Sequence, residues 1–146
     1  MTLSSDRRHR RQLLAGSLAL AAAGSAGAAP AAAGYKAVFQ VSDADPAKWN
    51  LTLNNARNAQ AELGAGNVVI EIVAFGPGIA MLKAGSDVAA RLAEDGQAGI
   101  RALACENSMR GFKLTHDQMA PTVGYVPSGV AHLIRRQTEG YAYIRS

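Results

Sequence analysis

A chain of 146 residues has the length of a single domain. Its 15 basic and 11 acidic residues give a net charge of +4, but four of the basic residues and one acidic residue precede position 34. The remaining 11 basic and 10 acidic residues nearly balance, so this part of the chain has no electrostatic footprint for nucleic acid, and we expect no nucleic-acid partner.

Residues 1–33 have the pattern of a secretory signal peptide. The cationic segment Arg7 to Arg11 precedes the apolar run Leu13 to Ala23, and Ala-x-Ala cleavage sites follow at 26–28 and 31–33. The apolar run is too short and too rich in alanine to span a bilayer comfortably. We therefore expect the leader to be cleaved from the chain that follows it.

The segment His9-Arg10-Arg11-Gln12-Leu13-Leu14 is similar to a twin-arginine signal, which exports chains that have already folded. An ordinary Sec signal and an uncleaved membrane anchor are the alternatives. Export predicts a periplasmic domain of residues 34–146 that meets the membrane only transiently, through its signal peptide.

The chain has one cysteine, Cys105, which excludes an internal disulfide framework. In an exported domain this thiol is buried and inert, exposed and reactive, or paired with another molecule. His116 and His132 stand alone in the sequence, so no Cys/His cluster has zinc spacing, and we expect neither a metal nor a cofactor. We interpret both histidines as exposed helix residues in preference to proton shuttles.

Five segments rich in β-branched and apolar residues predict strands. They are Tyr35–Val41, Asn67–Phe75, Gly99–Ala104, Val123–Val126 and Tyr141–Ile144. The second segment is almost continuously apolar, which suits a strand covered on both faces, as strands of parallel sheets are.

The segments between the strands predict helices. The first helix begins at Pro46, with Asp45 as its N-cap, and ends at Gly64. A short helical turn at 79–82 precedes a second helix that starts at Ser86-Asp87 and ends near Gly96.

Two further helices follow the third strand. Thr115 and Gln118 form a capping-box pattern for a short helix that ends at Pro121. The last helix follows Ser128 and ends at Gly140. The residues that helical spacing places on one face of it are Val130, Leu133, Ile134 and Gln137.

Strands and helices therefore alternate along the chain from residue 35 to residue 144. With right-handed crossovers, this order predicts an α/β fold with a five-stranded, mostly parallel sheet and helices on both faces, that is, three α/β/α layers.

Cys105 lies at the tip of the third predicted strand, where functional groups collect in open α/β sheets. A thiol at the start of a helix meets the positive end of the helix dipole and free N–H groups, which favour the thiolate. Arg110 would stabilise a thiolate or persulfide anion and Asn107 would donate hydrogen bonds, whereas Glu106 would raise the thiol pKa if it lay close. The alternative for Cys105 is that it serves as a small buried hydrophobic residue, and the alternative for Arg110 is a position at the surface or a subunit interface.

Two other polar or glycine-rich segments follow predicted strands. Gly76-Pro77-Gly78 lacks the spacing of a phosphate-binding loop, so we interpret it as a tight turn that directs Ile79 onto the core. Ser42, Asp43 and Asp45 are too few to indicate a metal site, and helix capping explains Asp45.

Four short segments together resemble the DsrE/DsrF-like family, and the resemblance extends over about Tyr35 to Ile144. The segments are Val38–Val41, Ile72–Gly78, Ala104–Gly111 and Gly124–Pro127. The resemblance implies a three-layer, flavodoxin-like α/β/α domain that assembles as a trimer or hexamer. More narrowly, the chain resembles the small exported branch of that family.

In the sulfur-relay members of this family, a cysteine at the end of the third strand, a few residues before Arg-Gly, carries a persulfide between partner proteins. Cys105 with Arg110-Gly111 matches this arrangement. The resemblance implies a persulfide carrier whose partner is a sulfur-donor or sulfur-acceptor protein, or a small thiol. The alternative is a non-catalytic binding or assembly domain with Cys105 packed at a subunit interface. An accessible thiol would favour the first hypothesis and a thiol buried among Leu and Ala the second.

Overall fold

The computed structural model describes residues 34–146, so the predicted signal peptide, residues 1–33, lies outside the described residues. Within them, five strands form one sheet. The strands are β1 (Tyr35–Val41), β2 (Val68–Ala74), β3 (Arg101–Cys105), β4 (Gly124–Val126) and β5 (Ala142–Arg145). Their order is β4-β3-β2-β1-β5, and all four neighbouring pairs are parallel, which confirms the predicted sheet.

Four α-helices and two 3-10 helices connect the strands. The α-helices are α1 (Pro46–Leu63), α2 (Ala89–Gln97), α3 (Glu106–Gly111) and α4 (Gly129–Thr138), and the 3-10 helices span Gly76–Leu82 and His116–Gln118. None of the helices in this part of the chain is long and apolar enough to cross a membrane.

Capping residues fix both ends of α1 where the sequence places them. The Asp45 carboxylate accepts a hydrogen bond from the N–H of Ala47 at 2.9 Å, and Gly64, with φ of 91°, ends α1. α2 begins three residues later than predicted, because the Ser86 carbonyl accepts the N–H of Ala89 and so closes a turn before the helix.

The two faces of the sheet bury different residues. On one face, Phe39 of β1 and Ile72 of β2 pack with Leu53 of α1 and Leu92 of α2 in the main hydrophobic core. The opposite face is covered by α4 in a smaller cluster. The buried members of this cluster are Val38, Val73, Leu103, Val126 and Leu133. Because strand residues alternate between the faces, the near-continuous apolar sequence of β2 serves both layers.

The orientation of α4 differs from the expected one. Leu133 is buried, but Val130 and Ile134, which were expected on the same face, are 52% and 60% exposed. The buried positions of α4 include Gly129 and His132, so the prediction that His132 is an exposed helix residue is wrong. His132 lies inward, where its ring is 2.7 Å from the buried Glu71 carboxylate, at a helix face where apolar periodicity alone would place Ile134.

Candidate functional site

The candidate site lies at the carboxyl edge of the sheet. Cys105 is the last residue of β3 and at the same time the N-cap of α3, because the chain passes from strand to helix without a loop. Cys105 pairs with Val126 of β4. It lies in the same row of β3 side chains as Leu103, which packs under α4. The thiol is therefore directed towards the start of α4 as well as lying at the start of α3.

Hydrogen-bond donors from both helices surround the Cys105 sulfur. The backbone N–H of Gly129, the first residue of α4, donates to Sγ at 3.2 Å. The Ser108 hydroxyl and the backbone N–H groups of Asn107 and Ser108, all in α3, lie around the sulfur and lower its pKa, although the Asn107 N–H itself donates to the Pro127 carbonyl at 3.3 Å. Ser108 Oγ accepts the N–H of Gly76 at 2.7 Å, which leaves its hydroxyl hydrogen for the thiol. This arrangement stabilises a negative charge on sulfur.

The pKa of the Cys105 thiol reflects two opposing effects. Burial raises the pKa, but the hydrogen bonds lower it by more, so the pKa lies below the ordinary value for cysteine. The largest favourable contribution comes from the Ser108 hydroxyl, followed by the Gly129 N–H. The Glu106 carboxylate, a candidate for raising the pKa, lies 3.2 Å from His116 Nε2 instead.

The Cys105 side chain is nevertheless buried. The residue is 4% exposed and forms no disulfide. Gly129 lies against Phe75 so closely that a Cβ atom on Gly129 would be 2.9 Å from Phe75 Cδ1, and this close approach brings the first turn of α4 onto the thiol. The low exposure of Cys105 favours the assembly hypothesis. The polar groups around its sulfur favour a thiolate site.

Asn107 and Arg110, which the sequence predicted to support the thiolate, make different contacts in the structure. The Asn107 N–H contributes to the lowered thiol pKa but donates to the Pro127 carbonyl at 3.3 Å, and the Asn107 side-chain oxygen accepts a hydrogen bond from the Arg110 guanidinium. Both residues are exposed. The Arg110 side chain lines a cavity of about 240 Å³ with Glu106 and His116, and Cys105 is not part of that lining. Direct stabilisation of the sulfur by Arg110 therefore stays a prediction.

The histidines and the glycine-rich turn are now placed as well. His116 is exposed, as predicted, and stacks on Tyr125 with ring centroids 3.7 Å apart. Ile79 is buried after the Gly76-Pro77-Gly78 turn, which confirms the structural interpretation of that turn. A Cβ on Gly78 would lie 2.4 Å from the Val41 carbonyl oxygen, so only glycine fits there.

The first strand end holds no ligand cluster. The Ser42 hydroxyl accepts a hydrogen bond from Gln40, and Asp43 forms an ion pair with Lys48 at 3.1 Å. Among residues 34–146, no group of three or more His, Cys, Asp or Glu side chains could hold a metal ion.

A second cluster of polar side chains lies on the α4 face of the sheet. Glu71, in the middle of β2, is fully buried. Its carboxylate accepts hydrogen bonds from His132 Nε2 at 2.7 Å and from Arg101 at 3.0 Å. Arg136 donates twice, at 2.9 and 3.0 Å. Burial raises the pKa of Glu71, but the bonds from Arg136 and His132 lower it by more, so its pKa lies below the ordinary value.

Sequence reasoning missed three of the groups that define the site. Ser108 stands three residues after Cys105. The third residue of a helix can direct its side chain back to the N-cap, so this spacing could have predicted Ser108 beside the thiol. Gly129 and Glu71 carry no comparable signal. Each acts on residues at least 24 positions away, through contacts that exist only in the folded domain.

The fold and the site together define a parallel α/β domain with a cysteine at the end of the third strand, between the N-termini of two helices. The sequence profile of the DsrE/DsrF-like family matches residues 35–145. The chain belongs to this family, as the short sequence segments predicted. No curated protein matches the chain.

Solved structures that are similar to the domain include two proteins of unknown function. A protein of unknown function from Methanobacterium thermoautotrophicum, MTH1491, is 38% identical with a TM-score of 0.74, over 77% of this chain and 99% of that chain. A conserved protein of unknown function from Bacteroides thetaiotaomicron, BT1422, is 15% identical with a TM-score of 0.62, over 76% and 94% of the two chains. The second similarity shows the fold alone.

Proposed function

We propose that this protein is a carrier of sulfane sulfur that holds it as a persulfide on Cys105. One observation carries the proposal: the first N–H of α4 donates to the sulfur at 3.2 Å, and together with the donors at the start of α3 it lowers the thiol pKa despite burial. A buried cysteine with only a packing role would have apolar neighbours and a raised pKa. Membership of the DsrE/DsrF-like family supports the same function.

Loading of the carrier is a thiol exchange on sulfane sulfur. The Cys105 thiolate attacks the terminal sulfur of a polysulfide, and a new Sγ–S bond forms. The bond between that sulfur and the rest of the polysulfide breaks, and the shortened polysulfide leaves with the electron pair. Electrons balance between the two reactants, so the step needs no added oxidant.

Transfer of the sulfur from Cys105 to an acceptor depends on the same donors around the Cys105 sulfur. An acceptor thiolate attacks the outer sulfur of the persulfide, and Cys105 leaves as a thiolate. A thiol of low pKa leaves faster, so the donors that stabilise the Cys105 anion favour transfer to the acceptor. Since the chain has one cysteine, the acceptor is a partner protein or a small thiol.

We extend the proposal to the location and assembly of the protein. The signal-peptide pattern of residues 1–33 supports export to the periplasm. The exposed apolar side chains of Val130 and Ile134 on α4 support self-association, with the trimer or hexamer expected from the family resemblance. Fractionation of a C-terminally tagged chain, followed by N-terminal sequencing, tests both the export and the cleavage.

The low exposure of Cys105 supports a second candidate function, a non-catalytic assembly domain in which the thiol is only packed. The two candidates differ in what a sulfur donor does to the folded protein. Intact mass is measured after incubation with polysulfide, on residues 34–146 and on Cys105→Ser in parallel. The carrier gains about 32 Da, one sulfur atom, which a thiol reductant removes, and the serine variant gains nothing.

An unreactive thiol in the folded protein would support the assembly function. If the wild-type mass is unchanged and a small alkylating reagent labels Cys105 only after unfolding, the carrier proposal is wrong and the assembly function takes its place.

A further inference from the structure

The buried Glu71 carboxylate and the Cys105 thiol share one helix. α4 donates the N–H of its first residue, Gly129, to the sulfur at 3.2 Å. Three residues further along, His132 Nε2 donates to Glu71 at 2.7 Å, and one turn later Arg136 donates to the same carboxylate at 2.9 and 3.0 Å. The helix is therefore held at two successive turns by one carboxylate of the central strand.

We propose that Glu71 is a positioning residue of the Cys105 site, which acts through α4. Its carboxylate fixes the rotation of α4 over the sheet, at the distance set by the packing of Gly129 against Phe75. That placement sets the Gly129 N–H against the sulfur.

The connection within α4 is short and rigid. The N–H of His132 donates to the carbonyl of Ser128 at 3.0 Å, so the anchored turn is hydrogen-bonded to the residue that precedes Gly129. Ser128 Oγ in turn accepts the N–H of Ala131 at 3.3 Å and closes the same turn. A movement of His132 is therefore transmitted to the Gly129 N–H within one turn of helix.

The burial of the α4 side chains supports a role in helix orientation for the hydrogen bonds between α4 and Glu71. α4 has Leu133 as its one large apolar side chain in the buried cluster, while Val130 and Ile134 are exposed. Apolar packing alone would leave the rotation of so lightly anchored a helix poorly determined, because hydrophobic contact is non-directional. Directional hydrogen bonds to a fully buried carboxylate determine it.

The charged groups that face Glu71 come from two elements. Arg101 reaches it from β3, and His132 and Arg136 reach it from α4. Arg101 therefore provides a matched control, since its loss removes a partner from the same carboxylate without releasing α4.

The test compares the Cys105 thiol pKa in four proteins: wild type, His132→Leu, His132→Gln and Arg101→Gln. The ultraviolet absorbance of the thiolate is titrated, and the curve of the same protein carrying Cys105→Ser is subtracted, because the four tyrosines of the chain also absorb there once they ionise. A hydrogen bond to a charged group contributes enough to shift a pKa by about one unit. We expect His132→Leu to raise the thiol pKa by about that amount. His132→Gln, which keeps a donor at the same position, is expected to restore it, and Arg101→Gln to leave it unchanged.

Arg136→Gln is a second variant that weakens the attachment of α4 to Glu71, and we expect it to raise the thiol pKa as His132→Leu does. Thermal denaturation identifies the pH range in which each variant is folded. The proposal is wrong if a folded α4-releasing variant has the wild-type thiol pKa, or if Arg101→Gln shifts the pKa equally. The inference deepens the proposed function and rests on it for its biological meaning. The titration, however, contains no sulfur donor, so a failure of persulfide formation would leave its result unchanged.

Discussion

Replacement of Ser108 by alanine tests the origin of the low thiol pKa most directly. The Ser108 hydroxyl makes the largest favourable contribution at the Cys105 sulfur. A hydrogen bond to a charged group contributes about 1.5–3 kcal/mol, and one pKa unit corresponds to about 1.4 kcal/mol. We therefore expect Ser108→Ala to raise the thiol pKa by about one to two units.

The same substitution has a second, separable effect. Ser108 Oγ accepts the N–H of Gly76 at 2.7 Å, so alanine leaves that N–H without its acceptor. An unsatisfied backbone group of this kind costs about 1–3 kcal/mol of stability. The pKa is measured by titration of thiolate absorbance and the stability by urea denaturation, so the two effects are read independently.

A matched substitution elsewhere controls for general effects of losing a hydroxyl. Ser86 also accepts a backbone N–H, that of Val88 at 3.3 Å, but it does not contact the thiol. Ser86→Ala is expected to lower stability slightly and to leave the thiol pKa unchanged. If Ser108→Ala lowers stability without moving the pKa, the hydroxyl serves only the backbone, and our account of the lowered pKa is wrong.

Three further predictions concern the rest of the domain. Glu71→Gln leaves Arg136 without its carboxylate and is expected to cost about 3 kcal/mol in urea denaturation at neutral pH. Because the folded-state pKa of Glu71 is lowered, its contribution is fully present above the ordinary carboxyl pKa and is lost as pH falls through the folded value. The difference from wild type should therefore shrink in acid, and a pH-independent difference would contradict this. The proposed self-association through α4 predicts that Ile134→Ser with Val130→Ser, both at exposed positions, lowers the mass measured by light scattering while each chain stays folded. An unchanged oligomer mass would exclude α4 from the interface. Gly78→Ala places a methyl group 2.4 Å from the Val41 carbonyl oxygen and should lower the free energy of unfolding by about 1–3 kcal/mol, whereas wild-type stability would mean that the turn adjusts freely.

The sequence alone determined the local structure of this protein. β1 spans Tyr35–Val41 as predicted, and α1 starts at Pro46 behind its Asp45 cap. Such features depend on residues close together in the chain, through side-chain alternation, capping and the fixed φ of proline. The same local signals placed Cys105 where a strand becomes a helix.

Only the tertiary structure decided which groups meet at the thiol and which face of α4 is buried. Gly129 reaches the sulfur from 24 positions away, and Glu71 binds His132 across 61 positions. Helical periodicity predicted Val130 and Ile134 on the same face as Leu133, but in the folded domain both are exposed, while His132 and Arg136 donate hydrogen bonds to the buried Glu71 carboxylate. Apolar spacing cannot reveal this, because a buried charge is satisfied by whichever distant donors the fold brings to it.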